Sequence, residues 1–338
     1  MGELLRILVV GDLSSPFVRQ DYRLLSELAS VRLLSAGGYL GYFAKLLEAG
    51  GYDVYYAWWA SSLHNVVYSK VHGGASVVVA GGFDVVSEDS VKYGFRWQPW
   101  WKRKAVRYCL READLILAVS RFVEEHVRRL EPKARVEVAY LGVDPERFAP
   151  ASLQQRKPVI LTVAHLTAKS IVYKGVVDLL EAFAHVAKRK PEARLRIAGA
   201  HRGGEATLAR RAKELGLSSR VELIGEVEHS RIHRLYQEAM VYAQLSRVES
   251  FGLCVAEAMS CGTPVVVSGA GGLREVAGGV GATARPDDPE EVADVVCSLL
   301  EDRRLWLELS ELSRSRILEG FTLSHRKRRL AQAMESVA

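Results

Sequence analysis

Asparagine is almost absent from this chain: Asn65 is the only one among 338 residues. That scarcity suggests a thermophilic source, where thermolabile asparagine is avoided; arginine also greatly outnumbers lysine. Cysteine is sparse too. Cys109, Cys254, Cys261 and Cys297 show no CxxC spacing and no histidine at ligand spacing, which excludes a thiolate metal site and leaves structural thiols. No convincing metal cluster is present in the sequence. No apolar run approaches the roughly 18 residues of a membrane span. The opening MGELLRILVVGD runs straight into a strand with no small-residue cleavage site, unlike a signal peptide. The expected location is cytoplasmic. What remains is an ordinary globular composition, 49% hydrophobic and 25% charged, long enough for two domains with their own cores. The net charge of +6 favours acidic partners: phosphorylated small molecules, an anionic membrane face or nucleic acid.

Apolar runs alternate with amphipathic segments along the whole chain. RILVVGD (6–12), DVYYAWW (53–59), ASVVVAGG (75–82), DLILAVS (114–120) and VEVAYLG (136–142) read as buried strands. After residue 150 the alternation restarts with PVILTVAH (158–165), ARLRIAG (193–199), RVELIG (220–225), MVYAQLS (240–246), TPVVVS (263–268) and GATAR (281–285). Near-continuous apolar strands separated by helices mean parallel sheets covered on both faces. The expected fold is therefore α/β: two doubly wound Rossmann-like domains facing a central cleft, over 1–150 and 151–321. The polar, proline-flanked FAPASLQQRKP (148–158) would be the linker. A C-terminal helix over 322–338, capped near Thr322 or Ser324, is expected to pack back toward the N-terminal domain.

One stretch concentrates the chemistry. RVESFGLCVAE holds Glu249 in a strand-to-helix turn and Glu257 inside the helix, with seven residues between them. The backbone N–H groups of Phe251, Gly252 and Leu253 would point out of the helix start, where geometry and dipole favour an anion. Gly252 permits a ligand to approach the backbone. Carboxylates repel phosphate but accept hydrogen bonds from hydroxyls. Glu257 would lean back toward the helix start. An amide cradle for phosphate flanked by hydroxyl-binding carboxylates describes a sugar nucleotide. A diphosphate needs a cation, and Lys174 precedes a helix expected from Val176. There a lysine opposes the helix dipole at a cost of about 0.3–1 kcal/mol, a cost that a bound anion would explain.

SRVESFGLCVAEAMSCGTPVVVSGAGGLREVAG resembles the signature of the family 4 glycosyltransferases, retaining enzymes of the GT-B fold. The similarity continues through YKGVVDLLEAF, LRIAGA, AKELGLSSRVELIGEV, LYQEAMVYAQLS and RPDDPEEVAD, covering essentially all of 158–300. READLILAVSRFVEEHV and VEVAYLGVDPERF resemble the end of that family's N-terminal domain, and residues 1–100 match loosely. The resemblance implies transfer of a hexose from a UDP- or GDP-linked sugar, with retention and with no cofactor and no divalent metal, to a lipid-linked, glycan or small-molecule hydroxyl. Glu249 would contact the donor sugar and Lys174 would neutralise the departing diphosphate; these two are the catalytic candidates. The amides of Phe251, Gly252 and Leu253 would meet the sugar and diphosphate, Glu257 the ribose, and Gly199 would let the nucleotide come close. The N-terminal domain would read the acceptor, the C-terminal domain the donor.

There are departures. Where the family carries Gly-Arg-Leu, with the arginine on the diphosphate, this chain has Ala164-His165-Leu166. Histidine can donate a hydrogen bond but lacks the guanidinium fork. The family's glycine pair in the first loop is replaced by GDLSSPFVRQD, which makes Asp12, Ser14 and Ser15 cleft candidates. Trp59 and His64, in AWWASSLHN, compete for the place of a family histidine near the donor sugar. Asp84 would either face the cleft or cap a turn. FRWQPWWKRKAVRYCLREAD combines three tryptophans with a basic run. Helical spacing puts Trp101, Ala105, Cys109 and Ala113 on one core face, with docking to an anionic membrane as the functional alternative. No nucleic-acid module is visible. Two other readings stand beside the transferase: a glycosyl phosphorylase or sugar-nucleotide epimerase on the same fold, and a catalytically degenerate nucleotide-sugar binder.

Overall fold

The computed structural model describes residues 5–35, 41, 42, 45 and 50–338. The chain forms two compact units, Met1–Leu141 with Ser324–Ala338, and Gly142–Leu323. Each is built on a six-stranded, all-parallel sheet.

In the first unit, strands β1 (Arg6–Val10), β2 (Ser30–Leu34), β3 (Val54–Trp58), β4 (Ala75–Ala80), β5 (Leu115–Ala118) and β6 (Val136–Val138) lie in the order β2-β1-β3-β4-β5-β6. Helices α1 (Pro16–Ser26), α2 (Leu63–His72), α3 (Trp100–Glu112) and α4 (Arg121–Leu130) connect them. The middle strands are buried along their whole length, because helices cover both faces of a parallel sheet. β2 is absent from the strands expected above. It is an edge strand with only Leu34 buried, so SVRLL carries no continuous apolar run to reveal it.

In the second unit, β7 (Lys157–Val163), β8 (Arg194–Ala198), β9 (Val221–Gly225), β10 (Ala239–Gln244), β11 (Val265–Val267) and β12 (Ala282–Thr283) take the order β9-β8-β7-β10-β11-β12. The connecting helices are α5 (Val176–Arg189), α6 (Glu205–Glu214), α7 (Ile232–Glu238), α8 (Leu253–Ser260), α9 (Gly272–Ala277), α10 (Pro289–Glu301) and α11 (Arg303–Gly320). Its core joins Ile160, Leu195, Ile197 and Val241 from the sheet to Leu180, Phe183, Val292 and Val296 from α5 and α10.

The division falls at Leu141/Gly142, ahead of the linker expected at 148–158. The intervening segment belongs to the second unit because its carbonyls are claimed there. Arg314 donates to Pro145 O and Phe148 O, Ser260 Oγ to Phe148 O, and Gln237 Nε2 to Ala149 O. Helix α12 (Leu323–Glu335) carries the chain back into the first unit. There Arg326, wholly buried, makes a two-pronged pair with the equally buried Asp21 at 2.6 and 2.9 Å. Tyr56 Oη and Trp58 Nε1 also donate to Asp21, at 2.5 and 2.9 Å, and Arg326 donates to Ala139 O. Such a pair contributes little net stability while intact, but removing one partner strands a buried charge at a cost of about 3–5 kcal/mol.

Candidate active site

The strand order of the second unit reverses between β7 and β10: β8 and β9 extend to one side of β7, and β10 to β12 to the other. In an open parallel sheet the crevice at such a switch point, beyond the carboxyl ends of the strands, is the ligand site. Here the segment after β7 brings Lys174 to the segment after β10, which carries Glu249.

Lys174 Nζ lies 2.5 Å from Glu249 Oε2, with the two side chains 26% and 13% exposed. Gln244, the last residue of β10, donates Nε2 to the same oxygen at 2.5 Å, and Ser250 N–H donates to Oε1 at 3.2 Å. Tyr242 Oη holds Gln244 Oε1 at 3.0 Å, and Gln244 also donates to Ser246 Oγ. Glu249 is thus a carboxylate fixed by three donors and partly open to solvent. The loops are locked backbone to backbone. Arg247 N–H donates to Tyr173 O, and the Arg247 guanidinium pairs with Asp178 in the first turn of α5 at 2.9 Å. Gly175 follows Lys174 with φ +67°, and a Cβ there would sit 2.0 Å from Leu245 O. Only glycine lets these two backbones approach so closely.

The structure revises the account of Lys174. It ends a one-turn helix, Ser170–Tyr173, before α5 begins, so it meets the favourable end of one helix as well as the unfavourable start of the next. Its charge already has a partner in Glu249, so the lysine does not need a ligand to explain it. What the pair offers is a cation and a hydroxyl-accepting anion side by side at the switch point.

Glu257 is held by a separate set. Its Oε2 accepts from Tyr236 Oη at 2.9 Å, and its Oε1 lies 3.1 Å from His229 Nε2. It is 5% exposed, so both oxygens already have protein partners. Gly252 caps α8 with φ +99°. The first bond inside that helix runs from Ala256 N–H to Gly252 O, so the amides of its first turn point along the axis, as at any helix start. The Phe251 side chain is buried, its ring 5.9 Å from that of Phe321. Gly199 directly follows β8 with φ +147°, and a Cβ there would lie 1.7 Å from Ala164 O. The demand for glycine comes from that carbonyl. His165, two residues past β7, is exposed, and its carbonyl accepts from Ser170 Oγ. Burial pushes the thiols of Cys109 and Cys261 up to about 12, in keeping with structural roles. Among the described residues no group of three or more His, Cys, Asp or Glu is arranged to hold a metal ion.

With that geometry in place, comparison with known proteins decides the family. The model of the glycosyl transferases group 1 matches residues 144–316, just over half the chain, and that of Glycosyltransferase Family 4 matches residues 20–147. The chain belongs to the group 1 glycosyl transferases. Among curated members, it is 32% identical over 201 residues to the D-inositol 3-phosphate glycosyltransferase of Mycolicibacterium smegmatis, covering 56% of this chain and 46% of that one. It is 29% identical over 230 residues to the mannosylfructose-phosphate synthase of Agrobacterium fabrum, covering 62% and 48%. The chain thus spans about half the length of the curated relatives it matches. Among solved structures, Anabaena Alr3699/HepE in complex with UDP and glucose superposes with a TM-score of 0.81 at 20% identity, over 98% of this chain and all of that one. The sucrose-phosphate synthase of Thermosynechococcus elongatus gives 0.79 at 17% identity, over 98% of each. At such identities the likeness shows the fold, GT-B.

Of the N-terminal candidates, four line one pocket of about 180 Å³: Asp12, Ser15, Trp59 and His64, together with Tyr42 and Gly11. Ser14 stands beside it, donating its hydroxyl and its N–H to the Asp12 carboxylate at 2.5 and 2.9 Å, which holds the Asp12 carboxyl below its usual range. Trp59 takes a left-handed backbone, φ +75°, a conformation costly outside glycine and concentrated at functional sites. His64 is stacked on Tyr42 at 4.7 Å, and burial lowers its pKa to about 4. Asp84 is a correction to the cleft reading. It is 3% exposed and accepts from Ala60 N–H and Gly82 N–H at 2.6 and 2.8 Å, so it ties together the turns after β3 and β4.

Sequence reasoning passed over Gln244, His229 and Tyr236. Gln244 had a signal, as the one amide side chain within the apolar AMVYAQ strand. His229 and Tyr236 had none, since their role depends on α7 and the turn before it packing beside α8.

Proposed function

We propose that this protein transfers a hexose from a nucleoside-diphosphate sugar, UDP- or GDP-linked, to a hydroxyl acceptor with retention of anomeric configuration. The observation that carries the reading is the Lys174–Glu249 pair at the strand-order reversal. Lys174 offsets the repulsion a carboxylate would exert on a diphosphate, leaving Glu249 free to accept hydrogen bonds from donor-sugar hydroxyls. As the glycosidic bond breaks, negative charge grows on the leaving diphosphate. A preorganised ammonium and the helix-start amides of α8 stabilise that charge more than they stabilise the ground state. The acceptor's proton passes to the departing phosphate oxygen on the same face, so the protein acts by positioning rather than by a covalent intermediate. Lys174 meets the charge without a divalent ion. Glu257 binds the ribose by exchanging its contact with the half-exposed His229 for a ribose hydroxyl. His165 donates a single hydrogen bond where the family's arginine would donate two.

Support for a nucleotide-sugar donor comes from the family, from the motif spanning 246–278, and from the Anabaena neighbour, whose structure is a complex with UDP and glucose. Support for retention comes from the motif's resemblance. The pocket around Trp59 supports an acceptor role for the first unit. The test is incubation with UDP-, GDP- and ADP-sugars, with and without EDTA, following diphosphate release and the anomeric proton of the product by NMR. Release that survives EDTA and an axial product from an axial donor support the reading. Tight nucleotide-sugar binding without turnover would assign a degenerate binder, with His165→Arg as the first reversion. Turnover that requires inorganic phosphate would assign a phosphorylase.

A further inference from the structure

Every strongly exposed phenylalanine or tryptophan among the described residues lies in one segment of the first unit. Phe83 is 50% exposed, Trp97 48%, Trp100 64% and Trp101 45%. Helical spacing placed Trp101 on a core face. The structure corrects this, because the buried face of α3 starts only at Ala105 and continues through Val106, Cys109 and Leu110, leaving the first turn to project beyond it. The segments that carry the four rings are tied together. Phe83 meets Tyr93 edge-on at 5.2 Å, and Gln98 Nε2 donates to Phe83 O at 2.8 Å, tying that loop to the turn that carries Trp97. Trp100 and Trp101 then open α3.

Each tryptophan carries its own lysine. Lys92 Nζ is 5.7 Å from the Trp97 ring centre, Lys102 5.5 Å from Trp101, and Lys104 5.1 Å from Trp100. From Val91 to Arg111 the sequence has seven basic residues and no acidic one. Half-exposed aromatic rings ringed by ammonium groups are costly on a surface that meets only water. They match the border of an anionic bilayer, where indole rings sit at headgroup depth and lysines reach the phosphates. Stacking platforms for single-stranded nucleic acid also mix aromatic and basic side chains, but those need an open ring face. Here a lysine ammonium lies over one face of each tryptophan, a cation–π contact that pairs every ring with a charge able to reach a lipid phosphate.

We propose that the face formed by Phe83, Trp97, Trp100 and Trp101 docks the protein on an anionic lipid surface. This deepens the transfer reading, and rests on it, only in its consequence: the hydroxyl acceptor would be borne by the lipid.

The test is co-sedimentation with phosphatidylcholine vesicles, with and without phosphatidylglycerol, at low and high salt. Binding is expected only to the phosphatidylglycerol vesicles, with a blue shift of tryptophan emission and weakening by salt. The triple variants W97A/W100A/W101A and K92Q/K102Q/K104Q should each bind on the order of 100-fold more weakly. The three tryptophans, Lys92 and Lys104 are exposed and Lys102 is half-buried, and nucleotide binding in the second unit should be unchanged in both variants, which separates docking from folding and from the donor reading. Absence of binding by the wild-type protein, equal binding to both vesicle types, or wild-type binding by either triple variant would overturn the proposal. Capture of a single-stranded oligonucleotide in place of vesicles would overturn it in favour of nucleic acid.

Discussion

Replacing Lys174 by methionine should separate stability from catalysis. The side chain keeps its length and loses its charge. In the resting protein the loss includes a charge-assisted hydrogen bond of 2.5 Å to a carboxylate that still has Gln244 and Ser250 as donors, and a cation–π contact with Tyr173. Hydrogen bonds to charged groups contribute about 1.5–3 kcal/mol, and the surviving donors put this one at the low end, a melting shift of a few degrees. The loss in transfer should be larger. A unit charge about 4 Å from the diphosphate at an effective dielectric near 20 gives roughly 4 kcal/mol. Removing one preorganised donor from a developing oxyanion typically costs about 10²–10³ in kcat. Lys174→Arg, which keeps the charge, should recover most of that loss. The assay is steady-state diphosphate release, with circular dichroism melting on the same samples. A folded Lys174→Met protein with wild-type kcat refutes the assignment of leaving-group stabilisation to this residue.

Other parts of the structure give sharp expectations. Gly199→Ala should destabilise the protein by about 3 kcal/mol or more, because its methyl would fall 1.7 Å from Ala164 O at φ +147° and the strain has no outlet; urea unfolding measures it. Arg326→Met should cost about 3–5 kcal/mol by leaving Asp21 charged and buried, and adding Asp21→Asn should restore part of it; a merely additive double variant would show that the pair is not coupled. His64 is neutral in the folded protein down to about pH 4, whereas in the unfolded chain it protonates near 6.5. Its folded pKa is depressed, so the unfolded state binds the extra proton. Stability is therefore full above pH 6.5 and falls as pH drops toward 4, by at most about 3 kcal/mol. His64→Phe should flatten that part of the stability–pH curve.

Much of the fold was legible because the physics behind it is local and periodic. Buried parallel strands must be apolar throughout, so runs such as ILTV and VYYAW announce themselves. The edge strand Ser30–Leu34 did not, because one solvated side removes the apolar run. The boundary at Gly142 was hidden because Arg314, far along the chain, holds Pro145 and Phe148. At the candidate site, Glu249, Lys174 and the glycines were readable from type and spacing. Their mutual contact was not, since it depends on which strands become neighbours. The same holds for Tyr236 and His229 on Glu257, and for the overhang that exposes Trp101. Four scattered candidates, Asp12, Ser15, Trp59 and His64, converge on one pocket only once β1 and β3 lie side by side.

The most direct measurement is calorimetric titration of the wild-type protein and the Glu249→Gln and Lys174→Met variants with UDP and GDP, each against its monophosphate. If the pair at the strand-order reversal is the donor site, one base will bind, its diphosphate will bind more tightly than its monophosphate, and Lys174→Met will erase that difference while Glu249→Gln leaves it in place. Equal affinity for mono- and diphosphate in the wild-type protein, or an unchanged preference in Lys174→Met, would contradict the account.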